Sequence, residues 1–472
     1  MGVMAMEPIR LFDTMSRQVR PFSPVVPGRV GVYTCGPTVY DFAHIGNLRA
    51  YVFADVLRRV LEYNGYQVRH VMNITDVGHM TSDSDEGEDK MVAGARRERK
   101  SPGELAAMYT EAFFVDLAQL NIKMPQVVCR ATDHVPEMIA VTQRLLELGH
   151  AYAISDGIYF DISTFPGYGS LSRLDLEGQQ AGARVEVNVQ KRHPADFALW
   201  RKADPSHLMQ WDSPWGRGYP GWHVECSAMG MKYLGDRIDI HTGGIDHVPV
   251  HHENEVAQSD AFAGHRVVQH WMHNEFLLVD GGRMAKSLDN FYTLSQLAER
   301  GYHPLAYRYF CLNAHYRSKL NFTWEALAGA QTALERLWGR AAQLAGESGH
   351  RIEPLEAELR GRFREAVNND LGTPQAMAVL WEVVRKEVPS GSARRLLSEF
   401  ETVLGLDLLQ APDRHRAPTP QVPPEVQELV EERARARKAR NWQLADALRG
   451  RIEALGFVVA DHPGGTTVRP AR

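Results

Sequence analysis

The chain of 472 residues contains no uninterrupted apolar stretch of about eighteen or more residues, the length a helix needs to cross a bilayer, so no membrane partner is expected. Cysteine is scarce. Only Cys35, Cys129, Cys226 and Cys311 occur, widely spaced, which excludes a disulfide framework and fits a reducing compartment. Strong charge of either sign is also missing: 53 basic residues face 58 acidic ones, a formal net of −5, so a nucleic-acid partner would have to be met by a local basic surface. The opening MGVMAMEPIRLFDTM has no basic region followed by a sustained apolar core, and Met6 stands where a myristoylation motif wants Ser or Thr. The expectation is a cytoplasmic protein, with any functional cysteine acting as a thiolate or a metal ligand.

What is present is the composition of a globular chain, 44% hydrophobic and 24% charged, long enough for about two to four domains. VGVYTC (Val30 to Cys35) alternates and is rich in β-branched and aromatic residues. After GPTVYDFAHIGN, the residues Leu48, Val52, Phe53, Val56, Leu57, Val60 and Leu61 keep helical spacing up to Gly65, and YQVRHVMNI reads as a second strand. Strand, helix and strand make a βαβ unit, hence a parallel sheet with a right-handed crossover. Ligands of such sheets sit beyond the carboxyl ends of the strands, which puts Cys35 to Asn47 and Asn73 to Asp76 around one crevice.

The fold class expected is α/β: a Rossmann-like parallel sheet in two halves (1–120 and 216–323) with a connective insertion (121–215) between them. A helical bundle (324–409), a proline-rich linker (410–424) and a small C-terminal module read as two helices (425–472) follow.

HIGN (His44 to Asn47) lies where a strand hands over to a helix, whose unpaired N–H groups suit a phosphate. Four residues alone are a weak signal, and a lone histidine there is more often a cap. In its setting, CGPTVYDFAHIGNLRAYVFADVLRR, the stretch resembles the signature of class I aminoacyl-tRNA synthetases, and CGPTVYD resembles their cysteinyl branch. The second motif of that family, usually KMSKS, stands here as RMAKS (Arg283 to Ser287), with Arg283 keeping a charge and Ala285 losing a hydroxyl. The resemblance, which runs from CGPTVYD through GWHVECSAM, HHENE and NNDLGTP to the terminal GGTT, implies an enzyme that activates L-cysteine with ATP and Mg2+ and transfers it to tRNA-Cys. His44, Gly46, Asn47 and Lys286 would bind ATP, with His44 and Lys286 stabilising charge during the reaction.

HHENE (His251 to Glu255) first invites a zinc-protease reading, but H-E-x-x-H starting at His252 needs a histidine at position 256, which is Val256. His251 and Glu255 lie four apart, so on a helix both can reach one ion. The resemblance implies that Cys35 and Cys226 complete the set, giving one Zn2+ per chain. Zinc prefers a thiolate to a neutral hydroxyl, which answers the problem of rejecting serine. The resemblance further implies an amino-acid pocket walled by Trp222, with Gly36, Thr75, His241 and Asp246 around it. Cys129 and Cys311 read as core.

RARARKAR (Arg433 to Arg440) reads in isolation as a solvated basic face, and in its context resembles the module of the family that reads the anticodon. Val468 stands where the family usually has Trp. The chief rival is a ligase joining cysteine to an amino sugar, which shares the catalytic domain but has no anticodon to read. No oligomer signal is seen, and a monomer is expected.

Overall fold

In the computed structural model the described residues are 8–77, 90–173, 188–205, 207–284, 290–344, 354–385, 388–409, 424–439, 441–455, 457–462 and 465–470. Five strands form the central sheet: β1 (Arg29–Thr34), β2 (Gln67–Ile74), β3 (Val127–Arg130), β4 (Ile238–Gly244) and β5 (Val268–Asn274). Their order is β5-β4-β1-β2-β3, and every neighbouring pair is parallel. Both faces are covered, as a parallel sheet requires, and Val32, Tyr33, Val71, Met72, Ile74 and Ile240 are fully or almost fully buried.

Helix α1 (Ile45–Tyr63) crosses from β1 to β2, and all seven residues with helical apolar spacing are buried on it. It stops at Asn64 and at Gly65, whose φ of +85° few other residues tolerate. The sheet order turns between β1 and β4, so their carboxyl ends, Cys35 with Gly36 and Gly243 with Gly244, face one crevice.

The stretch 121–215 supplies β3 to the sheet before its own structure begins. It then forms a helix, Val135–Glu147, and the strands Ala151–Ile154, Gly157–Phe160 and Phe197–Lys202, which pair antiparallel with one another and with Gly218–Pro220. Two further helices return to the sheet, α2 (Trp222–Leu234) before β4 and α3 (His251–Ala263) between β4 and β5. After β5, Leu277–Val279 pairs antiparallel with Gly282–Arg283 and parallel with Leu320–Phe322. The bundle follows as Trp324–Gln343, Pro354–Asn368, Thr373–Arg385 and Ser390–Leu404, with Phe363 and Phe400 stacked at 3.8 Å between ring centroids.

A buried polar hub ties α1 to the bundle. Asp55 Oδ2 lies 2.6 Å from Arg308 Nη2 and 2.7 Å from Arg59 Nε, while Arg308 Nε donates to Leu404 O at 2.7 Å. With its remaining donors also on carbonyls, this buried charge is compensated rather than stranded.

Within the bundle, Glu356 accepts from Arg395 at 2.6 Å and from Arg360 at 2.9 Å. The Arg395 hydrogen bond, opposed by burial, holds its carboxyl down at about 2 from an ordinary 4.5. A depressed carboxylate stabilises the fold above its unfolded value and loses that contribution as pH falls towards its folded one. Glu356→Gln should therefore melt several degrees below the parent at neutral pH, and the gap should close between pH 4.5 and about 2. A gap independent of pH in thermal melts would refute the assignment.

The C-terminal unit, 412–472, packs Val426, Leu429, Leu448, Ile452 and Val459 between the helices Pro424–Lys438 and Trp442–Ala454 and a hairpin. The hairpin, Phe457–His462 with Gly465–Pro470, is absent from the two-helix reading, although PGG flanked by FVVA and TTV carries the turn-and-strand signal. Val468 pairs with Val459 and, partly buried, packs against this core, so the position contributes to the packing of the unit. No helix among the described residues is long and apolar enough to cross a membrane.

Candidate active site and metal centre

A cleft of about 640 Å³ opens over the carboxyl ends of β1 and β4. Its lining includes Cys35, Gly36, His44, Gly46, Asn47, Thr75, Trp222, Cys226, Asp246 and His251. Residues separated by two hundred positions thus meet in one crevice because β1 and β4 are neighbours.

At one end stands the N-terminus of α1. His44 Nδ1 accepts from Asn47 N at 3.1 Å while Asn47 Oδ1 accepts from His44 N at 3.2 Å, a reciprocal capping box. A side chain at Gly46 would put its Cβ 2.9 Å from the His44 ring, so glycine keeps both the cap and the approach to the helix end. Gly36 is constrained more severely, since a Cβ there would meet Asn73 O at 1.5 Å, and its N–H donates to Asn73 Oδ1 at 2.8 Å. Lys286 and Ala285 lie outside the described residues; Arg283 and Met284 line the cleft beside Gly46 and Asn47.

At the other end, the donor atoms of Cys35, Cys226, His251 and Glu255 lie within 4.8 Å of one another, all buried. The sulfurs are 3.8 Å apart, His251 Nε2 is 3.6 Å from Cys226 Sγ, and Glu255 Oε1 is 2.9 Å from His251 Nε2. Cys35 follows β1, Cys226 sits on α2, and His251 and Glu255 occupy one face of α3, one turn apart. His223 Nδ1, 3.0 Å from His251 Nδ1, fixes the ring so that Nε2 points at the thiol.

Burial pushes the Cys35 thiol up to about 11, against the hydrogen bond with Cys226 and with help from the Glu255 charge. The Cys226 thiol is raised well above its ordinary value by its hydrogen bond with Cys35 and by burial. Burial alone would raise Glu255 too, but the His241 and His251 charges and hydrogen bonds outweigh it and bring the carboxyl to about 2. Burial lowers His251, against the pull of Glu255. Without a cation the cluster therefore holds two neutral thiols beside a carboxylate. A divalent ion would reverse the thiols, ionising both, and the two-sulfur, one-nitrogen, one-oxygen set is one that zinc accepts.

The cluster extends further than the four ligands named from sequence. Cys35, His241, His252 and Glu255 form a second group with the same spread, sharing two members with the first. His252 Nε2 is 3.2 Å from Cys35 Sγ, and its Nδ1 is 2.6 Å from His273 Nε2, whose Nδ1 is 2.7 Å from Thr14 Oγ1. In sequence His252 reads only as half of a protease motif, although it lies three residues from Glu255 and so on the same side of the helix.

The residues that the resemblance implies for an amino-acid pocket do not all fall alike. Trp222 stacks on His251 with ring centroids 4.2 Å apart, and Thr75 Oγ1 donates to Glu225 Oε2 at 2.9 Å. Gly36, Thr75, Trp222 and Asp246 line the cleft, whereas His241 lies behind it, its Nε2 3.0 Å from Glu255 Oε2. Glu225, fully buried, has a sequence signal only in being a lone carboxylate inside an apolar turn.

A parallel sheet with a capped helix at its switch point and a mixed donor cluster across the cleft is the arrangement expected of the catalytic domain of a class I aminoacyl-tRNA synthetase. The fold is shared with solved structures of that class. A methionyl-tRNA synthetase from Mycobacterium tuberculosis, bound by methionyl-adenylate, aligns with a TM-score of 0.56 at 15% identity over 80% of this chain and 88% of that one. The LeuRS of a complex with tRNA and LeuAMS from Agrobacterium radiobacter K84 gives 0.60 at 12% identity over 83% and 86%.

Residues 21–332 match the family model of the tRNA synthetases class I (C) catalytic domain, 362–387 a DALR domain, and 419–469 the cysteinyl-tRNA ligase anticodon binding domain. Full-length relatives include cysteine–tRNA ligase 1 of Burkholderia lata, 52% identical over 97% of this chain and 96% of that one. A cysteine–tRNA ligase of Thermus thermophilus is 44% identical over 98% and 99%. The chain belongs to the cysteinyl-tRNA synthetase family.

Proposed function

We propose that this cysteine–tRNA ligase selects L-cysteine through one zinc ion held by Cys35, Cys226, His251 and Glu255. The observation that carries the proposal is the convergence of those four buried donors within 4.8 Å at one end of the cleft that the α1 N-terminus closes at the other. When bound there, zinc supplies a soft Lewis acid that takes a substrate thiolate in preference to a serine hydroxyl.

The residues of the chain divide the rest of the work. Trp222, Gly36, Thr75 and Asp246 shape the pocket for the amino acid, and His241 orients Glu255 from behind. The carboxylate of cysteine attacks the α-phosphate of ATP, which enters with Mg2+; a new acyl–phosphate bond forms and pyrophosphate leaves. His44 and the N–H groups of the α1 N-terminus, reached past Gly46 and Asn47, stabilise charge on the reacting phosphate, and Lys286 stabilises the pyrophosphate. The 2′-hydroxyl of the terminal adenosine of tRNA-Cys then attacks the acyl carbon, and AMP departs. No side chain acts as a covalent nucleophile.

In this reading the residues 1–120 and 216–323 carry catalysis, 121–215 is the connective insertion, the bundle 324–409 contacts tRNA, and the module 425–472 reads the anticodon as part of a monomer. Trp442, 58% exposed with the Arg437 guanidinium 5.9 Å from its ring centroid, supports a stacking surface for a base in a module whose Val468 packs, partly buried, against its core.

Zinc-loaded protein should exchange pyrophosphate into ATP with cysteine and not with serine, and should charge tRNA-Cys while leaving an amino sugar unmodified. Equal exchange with the two amino acids would sink the zinc reading. Ligation of cysteine to the amino sugar without charging of tRNA would sink the tRNA reading.

A further inference from the structure

Arg49 lies near the start of α1 and is 3% exposed. Its hydrogen bonds run to main-chain carbonyls of two separate segments. Nη1 donates to Glu275 O at 2.8 Å and Phe276 O at 2.6 Å, and Nη2 to Ser318 O at 2.5 Å, His315 O at 3.3 Å and Tyr316 O at 3.5 Å. Residues 275–276 join β5 to Leu277–Val279, and 315–318 lead into Leu320–Phe322, its parallel partner. The guanidinium is thus a buried fork with one prong on each of the two segments that lead into neighbouring strands. A lysine, a single ammonium on a flexible stem, cannot hold both.

The segment 275–276 so held continues into the cleft wall beside the α1 N-terminus. Leu277–Val279 pairs with Gly282–Arg283, and Phe276, Leu277, Arg283 and Met284 line the cleft together with His44, Gly46 and Asn47. Beyond residue 289 the chain comes back to the same helix end: Ile45 N donates to Tyr292 O at 2.8 Å, His44 bridges Thr293, and the Phe291 ring stands edge-on to His44 at 5.0 Å. That return uses the backbone and ring contacts of the cap itself. The outgoing strand rests on the Arg49 side chain.

We propose that Arg49 is a positioning residue for adenylate formation, its guanidinium fixing the segment that leads into Leu277–Val279, and through that strand its partner Gly282–Arg283, at one spacing from the α1 N-terminus. This rests on reading that end of the cleft as the phosphate end. Arg49 does not line the cleft and its hydrogen bonds go to carbonyls away from Cys35, Cys226, His251 and Glu255, so its removal misplaces one wall and leaves the thiol-recognising end intact. A displacement of about 1 Å at a reacting group costs on the order of 10²-fold in rate.

The test is pyrophosphate exchange by the full-length, zinc-loaded protein carrying Arg49→Lys or Arg49→Met, with zinc content and melting temperature measured alongside. Arg49→Lys keeps the buried charge and the stem, and decides the matter. Its kcat should fall by about 10²-fold while KM for cysteine stays within roughly 2-fold and zinc remains stoichiometric, a split that general loosening of the fold does not produce. A kcat within about 3-fold of the parent would overturn the proposal, and so would a loss of zinc with a parallel rise in cysteine KM. His44→Asn is run beside it. If that variant too kept its rate, the phosphate-end reading would fail; if it alone lost its rate, only the role of Arg49 would.

Discussion

Cys35→Ser is expected to abolish stoichiometric zinc and to collapse the preference for cysteine over serine, with a larger effect than Cys226→Ser. The asymmetry follows from geometry. Cys35 and Glu255 belong to both four-donor groups, whereas Cys226 and His251 belong to one. With Cys226 replaced, Cys35, His241, His252 and Glu255 still offer four donors within 4.8 Å. With Cys35 replaced, neither group is complete. Loss of a partner outside the coordination shell already weakens metal binding by about 10- to 100-fold, so loss of a shared ligand should exceed about 100-fold, read by chelator competition.

Selectivity should follow the metal. A pocket without a dedicated contact distinguishes near-isosteres by roughly 10²-fold at most, and the ratio of exchange rates with cysteine and serine in Cys35→Ser should drop to that level or below. The substitution keeps size and burial, so metal-free protein should melt close to the metal-free parent, while the added stability that zinc gives the parent should be lost. If Cys35→Ser kept zinc as tightly as the parent, or Cys226→Ser proved the more damaging, the shared-ligand account would be wrong.

His44→Asn is expected to lower kcat for pyrophosphate exchange by about 10²-fold, the cost of removing one preorganised donor from a developing charge. The choice of asparagine matters. His44 caps α1 through Nδ1, and asparagine is among the best capping residues, so the helix end should survive while the imidazole is lost. His44→Ala removes both and should lose roughly 1 kcal/mol of stability besides. Thermal melts and exchange kinetics together separate the roles: unchanged melting with depressed kcat for asparagine, depression of both for alanine. Parent-like exchange by His44→Asn would reduce the residue to a cap.

The fate of HHENE illustrates how far sequence carried. Its spacing disposed of the protease reading and put His251 and Glu255 on one helix face, and both are where that spacing requires. What the five letters did not disclose was that every one of them is buried and has a separate task. Glu253 accepts from Gly169 N at 2.8 Å and Ser172 N at 2.7 Å, and Asn254 Oδ1 from Tyr168 OH at 2.7 Å, tying α3 to the insertion. His252 faces Cys35. A helix with polar residues on all sides reads as solvated until the partners on each side are known. The same holds for Arg49 and Arg308, ordinary surface residues by type, interior ones by packing.

The chain by itself determined the βαβ start, the helix that begins within HIGN, the bundle, and the placing of His251 and Glu255 on one helix face, because these depend on periodicity and on local hydrogen bonding within a few residues. Tertiary structure alone decided that Cys35 and Cys226 stand 3.8 Å apart across 191 positions of sequence, that His252 and His241 join Cys35 and Glu255 in a second donor group, and that Arg49 bridges the segments leading into two paired strands. The reason is the sheet order. β1 and β4 become neighbours through long-range parallel pairing, and only that adjacency brings the end of one strand, a helix from beyond the insertion and the first turn of another within reach of a single ion.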